Sequence, residues 1–372
     1  MPENSAIPAL IVADDPDILD DSVDEQLLDD EDSAEESLRY EISSYGADYD
    51  VDGLVKRLRS GDCKIPAFQR GYVWPIKQAS RFIESLLLGL PVPGIFLSKE
   101  ADTNKLLVID GHQRLTTLRS FYDGIFPSTK KEFGLSDVEE GFIGKTYKTL
   151  EEEDRRSLDN AIIHATIVNQ TNPKDGGSAI YKIFERLNSS GMLLSPQEIR
   201  TAIYGGRLST LLSDLNKNEK WRVLFGPVNK RMRDQELILR FLALIQNEET
   251  YTRPMKGFLN KFMETERNLT GGLSAKLTTT FSQAIDAVHD GLGPKAFKRA
   301  NSFNAALFDS VLIGVSHRIE LKNAISQPEF VRAYNELIEN KSFQQWISSA
   351  TSDDETLKKR LAEAKAAFAG VP

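Results

Sequence analysis

The chain has 372 residues, 40% of them apolar, with 46 Lys and Arg against 55 Asp and Glu and a formal net charge of −9. That is enough to bury a full core, most simply in two domains. It contains no apolar run of about 18 residues, so no membrane span is expected, and its N-terminus lacks the basic start and apolar core of a signal peptide. The expected location is therefore the cytoplasm. The single cysteine, Cys63, permits neither an internal disulfide nor a zinc cluster, and reads as a small buried residue of a strand.

The charge is unevenly placed. Residues 1–37 hold 14 Asp or Glu and no Lys or Arg, and without them 41 acidic residues face 46 basic ones, a net of +5. Residues 1–40 are predicted to form a disordered acidic arm. Two roles stay open for it: a solvated tail, or a segment that docks a basic partner or competes with nucleic acid for a basic face. The basic excess of the body permits DNA contact.

Residues 41–204 read as a mixed α/β domain. Asp52 to Ser60 is a short helix built on Leu54, Val55 and Leu58 and stopped by Gly61, and Cys63 to Phe68 is extended. Pro75 suits the first position of a helix running to Leu88, with Ile76, Ala79, Ile83, Leu86 and Leu87 on its apolar face. Gly94 to Ser98 and Leu106 to Ile109 form a strand pair joined by the polar tip Asp102-Thr103-Asn104. After Asp110-Gly111 comes a helix carrying Leu115, Leu118 and Phe121 or Tyr122 at helical spacing and ending near Gly124. Residues 127–160 are charged and irregular, as in an insertion or lid. Ala161 to Val168 is a buried strand on which His164 reads as a satisfied core residue.

Asn172 to Gly177 is a loop, followed by a helix with Ile180, Ile183, Phe184 and Leu187 on one face. Ser195-Pro-Gln-Glu198 is a capping box with Pro at the first helical position. Between the two helices, Asn188-Ser-Ser-Gly191 is a polar turn. From residue 205 to 372 the pattern is mainly helical, with Asp234 capping a long helix and further helices over 278–290, 303–325, 328–348 and 353–368. The fold class is thus α+β, with a mainly helical C-terminal domain.

The junction Asp110-Gly111-His112-Gln113-Arg114 carries the most chemistry. A strand that ends in a tight turn before a helix presents backbone N–H groups at the positive end of the dipole, which favours anions. Beside it, Asp110 can serve as a metal or proton site and Arg114 as a phosphate fork. Equally open from these residues alone is Asp110 as a helix cap and Arg114 as a solvated side chain. Upstream, Phe68-Gln69-Arg70-Gly71-Tyr72-Val73-Trp74 places a second Gln-Arg pair beside a turn.

These blocks, with Ile183-Phe-Glu-Arg186-Leu-Asn188-Ser-Ser-Gly191 and Leu194-Ser-Pro-Gln-Glu-Ile-Arg200, resemble the N-terminal domain family of GmrSD-type (type IV) restriction endonucleases over roughly residues 45 to 250. The family pattern has Gln where this chain has His112. The resemblance implies a ParB- or sulfiredoxin-like core and a nucleotide-binding, NTP-hydrolysing regulatory or sensor subunit of an anti-phage defence system acting on DNA, using magnesium. It implies Asp110 as the metal or water ligand, and His112, Gln113 and Arg114 as catalytic groups. It further implies a nucleotide- or phosphate-binding set of Gln69, Arg70, Tyr72, Trp74, Gly111, Arg186, Asn188 and Arg200, with Tyr72 and Trp74 as base-stacking rings or, for Trp74, a core residue.

No P-loop, H-E-x-x-H or G-x-S-x-G pattern is present, and His112, His164, His289 and His317 lack ligand spacing. His289 and His317 fall within helical patterns and read as structural. A His-Asn-His-type nuclease, common downstream in the family, is expected to be absent or supplied by a partner chain. Two other functions stay open: a non-catalytic DNA- or partner-binding module, and a metal-dependent DNA nuclease using the same pocket.

Overall fold

The computed structural model describes residues 42–66, 72–99, 103–170, 181, 183, 194–299, 302–321 and 327–369. The acidic arm, the 172–177 loop, the Asn188-to-Gly191 turn and most of the helix expected before it lie outside them.

The N-terminal part consists of β1 (Ile42–Asp50), α1 (Val51–Ser60), β2 (Cys63–Lys64), α2 (Ile76–Leu87), β3 (Ile95–Lys99), β4 (Leu106–Asp110), α3 (His112–Asp123), α4 (Glu152–Asn160) and β5 (Ile162–Gln170). The five strands form one mixed sheet in the order β1-β5-β3-β4-β2. The β1–β5 and β3–β4 pairs are antiparallel, while β3–β5 and β2–β4 are parallel. β4 reads as a continuous apolar run because both of its faces are covered. Leu106 and Val108 join the core beneath α1, α2 and α3, whereas Leu107 and Ile109 pack with Tyr181 and Ile199 on the other face.

Local signals place the helix ends. The Asp50 side chain accepts from the Gly53 amide at the start of α1, and Arg57 and Arg59 sit in its last turn, where cations suit the dipole. Pro75 is the N-cap of α2, one position earlier than the sequence suggests. The charged stretch 127–160 is no lid: Phe133, Leu135, Leu150 and Leu158 are buried in the sheet-side core, so its irregular polar pattern is only its outer surface. His164 is also placed differently from the sequence expectation. Its side chain is exposed and pairs with Asp48 directly across the β1–β5 ladder. Cys63 is buried in β2, and burial pushes its thiol up to about 11, which keeps it protonated and unreactive.

The remaining elements are α5 (Pro196–Ile203), α6 (Arg207–Leu215), α7 (Glu219–Phe225), α8 (Arg233–Asn247), α9 (Met255–Thr265), α10 (Leu273–Leu292), the ribbon β6 (Lys298–Arg299) and β7 (Ser302–Phe303), α11 (Ala305–Leu321), α12 (Gln327–Glu339), α13 (Lys341–Trp346) and α14 (Asp354–Ala369). The fold is mixed α+β with a mainly helical C-terminal region. No described helix is long and apolar enough to cross a membrane.

The helical core is one cluster from Tyr204 to Phe368, with α11 almost wholly buried at its centre. Asp234 does not cap α8. Met232 does, and Asp234 lies inside the first turn, fully buried, accepting from Asn216, Arg222 and the Asn229 amide. The helix expected over 328–348 is broken at Asn340, whose side chain caps α13.

Candidate functional site

The site is built at the β4–α3 junction. Gly111, the N-cap of α3, has φ 98° and supplies no side-chain cap. A Cβ there would lie 2.4 Å from Ile95 Cγ2, so the turn sits directly on β3. The β3–β4 ladder slips just before the junction: Phe96 pairs with Asp110 but Leu97 with Val108, leaving Ile109 as an extra residue. Such a bulge bends the strand end and re-aims the turn beyond it.

Asp110 projects from that end with 46% of its side chain exposed. Arg114, one helical turn on, is 13% exposed; its Nη2 donates to Asp110 Oδ2 at 2.8 Å and its Nη1 to the Pro93 carbonyl at 2.8 Å. The guanidinium therefore ties the Asp110 carboxylate to the chain entering β3. It is fixed on two sides, not a solvated side chain, and Asp110 is its ion-pair partner.

Gln113 makes the second tie. Its Oε1 accepts from the Val73 amide at 3.1 Å and the Trp74 amide at 3.4 Å. Its Nε2 lies 3.4 Å from His112 Nε2, so a bond there has the amide donating to an unprotonated ring nitrogen. The Tyr72 hydroxyl meets Thr117 Oγ1 at 2.7 Å, and Thr117 in turn donates to the Gln113 carbonyl. Segment 72–74 is thus laced along α3, which brings the chain leaving the Gln69-Arg70 block to the Asp110–Arg114 turn. Gln69 and Arg70 themselves, with Arg186 and Asn188, lie outside the described residues.

The tie is testable. Gln113→Ala leaves two backbone donors without their acceptor, at roughly 1 kcal/mol each. Amide exchange at Val73 and Trp74 is expected to rise about fivefold each, by the conversion of about 1.4 kcal/mol per decade. Unchanged exchange at both amides would show that other contacts hold the segment.

The two aromatic rings are engaged. Tyr72 packs edge-on against Phe126 and Trp74 edge-on against Phe82, both part of the sheet-side core. For Trp74 this is the core role the sequence left open. Arg200 sits elsewhere again. It is 1% exposed on α5, with Nε bonded to Asn260 Oδ1 at 2.8 Å and Nη1 3.2 Å from Glu236 Oε1. Ile199, beside it on α5, packs on the sheet, so Arg200 locks the sheet domain to α8 and α9. The capping box that starts α5 is fully formed, with Ser195 and Glu198 each bonding the other's backbone amide.

Of the expected site residues, the structure therefore brings Asp110, Gly111, His112, Gln113 and Arg114 together with Tyr72 and Trp74, and keeps Arg200 in a buried pair. Three participants carry no sequence signal for this role: Pro93 through its carbonyl, Ile95 beneath the turn, and Thr117. Each acts by contact across elements distant in the chain. No group of three or more His, Cys, Asp or Glu among the described residues is placed to hold a metal ion.

A half-exposed carboxylate and a fixed guanidinium at a helix start, laced to the Tyr72–Trp74 segment, define a compact polar junction on a mixed sheet. Residues 51–205 match the family model described as GmrSD restriction endonuclease, N-terminal domain. The match runs from the first residue of α1 to just past α5, and leaves out β1 and the helices from α6 onward. No curated protein matches the chain.

Proposed function

We propose that the β4–α3 junction binds the phosphates of a nucleoside triphosphate and promotes its hydrolysis, and that the chain is a nucleotide-dependent regulatory or sensor component of a restriction-type defence system. The GmrSD N-terminal domain points to restriction-type defence acting on DNA. The nucleotide reading rests chiefly on one observation: the half-exposed Asp110 carboxylate beside the anchored Arg114, at a helix start without a side-chain cap.

In this reading the first amides of α3 receive phosphate oxygens. Asp110 orients the water that attacks the terminal phosphorus; the bond to the bridging oxygen breaks, giving phosphate and the diphosphate. Arg114 holds Asp110 in place and adds positive charge. Gln113 and His112 hold the Tyr72–Trp74 segment and the turn, and the Gln69-Arg70 block supplies the remaining phosphate contacts. Such catalysis is mostly positioning and charge stabilisation. For magnesium, the junction offers the single carboxylate of Asp110, which fits an ion that arrives with the phosphates and keeps most of its waters. It does not fit a resident ion caged by protein alone.

The test is phosphate release from each NTP with magnesium, with and without duplex DNA. Asp110→Asn keeps the side-chain shape and is expected to lower turnover by about two orders of magnitude or more. Turnover that survives Asp110→Asn would remove the junction from the chemistry. Absence of turnover in the wild type, with DNA binding intact, would favour a binding module. Magnesium-dependent nicking lost in the same variant would favour a nuclease.

A further inference from the structure

The basic excess of the body lies entirely in the helical half. Residues 38–204 carry 22 basic and 22 acidic side chains, whereas residues 205–372 carry 24 basic and 19 acidic. Several basic groups of that half are neutralised locally: Lys220 by Asp286 and Asp290, Arg222 by Asp234, Arg240 and Arg360 by Asp309, and Lys365 by Glu248. Another exposed basic stretch leads into and forms part of the β6–β7 ribbon. Between Asp290 and Asp309 the chain has Lys295, Lys298 and Arg299 and no acidic residue. All three are exposed, and none has a carboxylate of the described residues within ion-pair distance.

These side chains stand on a rigid support. Phe297 and Phe303, flanking and ending the β6–β7 pair, are buried in an aromatic cluster with Trp221, Phe225 and Phe308. Tyr334 donates to the Ala296 carbonyl at 2.7 Å, the Asn304 amide to the Phe297 carbonyl at 2.8 Å, and Asn304 Nδ2 to the Ile347 carbonyl at 3.0 Å. Here a two-strand ribbon plugged into the core by two Phe rings projects cations of one sign, with Ser302 and Ser348 beside them. Arg299 Nη1 donates to Ser348 Oγ at 3.3 Å, which holds its guanidinium near the ribbon.

We propose that the β6–β7 ribbon is a phosphate-backbone contact for duplex DNA, made by Lys295, Lys298 and Arg299, on a part of the chain that the family match does not cover. The proposal rests on the reading that the chain acts on DNA, not on nucleotide hydrolysis at the junction. Like-charged exposed side chains without acidic neighbours suit a polyanion, and contacts to the backbone are independent of base sequence.

The test uses the full chain and a fluorescent duplex, with affinity measured across a salt series. The variant Lys295→Glu, Lys298→Glu, Arg299→Glu is compared with a control at the exposed Lys276 (Lys276→Glu), and both are checked for fold by circular dichroism. The ribbon variant is expected to bind more weakly, to all sequences alike, with the slope of log affinity against log salt reduced by roughly one per lost contact. A conservative Lys295→Arg, Lys298→Arg variant should keep wild-type binding. DNA affinity and slope unchanged in the folded ribbon variant would overturn the proposal while leaving DNA action standing. Absence of any duplex binding by the wild type would overturn both. Two further results would also overturn the ribbon as a DNA surface: tighter binding to RNA than to duplex DNA, lost in the ribbon variant, or faster proteolysis of residues 1–37 in that variant with DNA affinity intact. The last would identify the ribbon as the dock of the acidic arm. Phosphate release without DNA reports separately on the junction.

Discussion

Gly111→Ala is expected to disable the junction while leaving the rest of the fold intact. The residue's φ of 98° is open to glycine but costs an L-residue roughly 1–2 kcal/mol. The added methyl would also meet Ile95 Cγ2 at 2.4 Å and Ile95 Cβ at 3.0 Å, and Ile95 is a buried β-branched residue of a central strand with little freedom to retreat. Overpacking of that kind costs typically a further 1–3 kcal/mol. The chain relieves both by moving the first turn of α3 off β3. That displaces Asp110 and Arg114 together and breaks the Arg114 bond to the Pro93 carbonyl. The expected result is a loss of any phosphate release by at least tenfold and a stability loss of about 2–4 kcal/mol. Urea unfolding monitored by circular dichroism, alongside the phosphate assay, checks both. A variant with wild-type stability and turnover would mean that the turn adapts without cost, and the close Gly111–Ile95 contact would then not be what sets the site.

The largest stability effect is expected far from that junction, at Asp309. This carboxylate is fully buried on α11 and accepts from Arg240 Nη2 at 2.8 Å and Arg360 Nη2 at 3.2 Å. Arg360 also donates to the Ala306 carbonyl and to Ser310 Oγ. Burial holds the Arg360 guanidinium below its ordinary value, opposed by the charge of Asp309 and aided by that of Arg240. Asp309→Ala removes the anion that sits between two buried cations on α8 and α14. Stripping one partner from a buried pair costs about 3–5 kcal/mol, against a typical domain stability of about 5–15 kcal/mol. The helical half is therefore expected to lose about a fifth of its stability or more, and its urea midpoint to fall accordingly. Asp309→Asn, which keeps the shape and loses the charge, should fall nearly as far. If Asp309→Asn unfolds at the wild-type midpoint, packing and not charge holds these three helices together.

The mixed fold is readable largely because its signals are local. The Ser195–Glu198 capping box and the glycine stops at 61 and 124 act within four residues, so the sequence alone places α1, α3 and the start of α5 to within a residue or two. β4 is legible as an apolar run because both of its faces are covered. Pattern misleads where one side of a segment is core and the other is water. Residues 127–160 carry their charges outward, and the pattern hides Phe133 and Leu150, whose burial depends on α3 and the sheet. His164 reads as core but is exposed, because alternate residues of β5 face opposite sides of the sheet and the buried side is that of Ile163, Ala165 and Ile167, packed into the core.

The candidate site divides in the same way. The cluster Asp110 to Arg114, the glycine of its turn and a second Gln-Arg pair are plain in the residues alone, as are the acidic run over residues 1–37 and the basic excess behind it. Which of these groups meet is settled by packing. Gln113 holds the Val73 and Trp74 amides, Arg114 anchors Asp110 to the Pro93 carbonyl, Tyr72 and Trp74 give their rings to the core, and Arg200 becomes a buried lock between domains. The physical reason is range. Helix ends and turns are set by hydrogen bonds between near neighbours, whereas a side chain's partner is set by packing that brings together residues tens of positions apart.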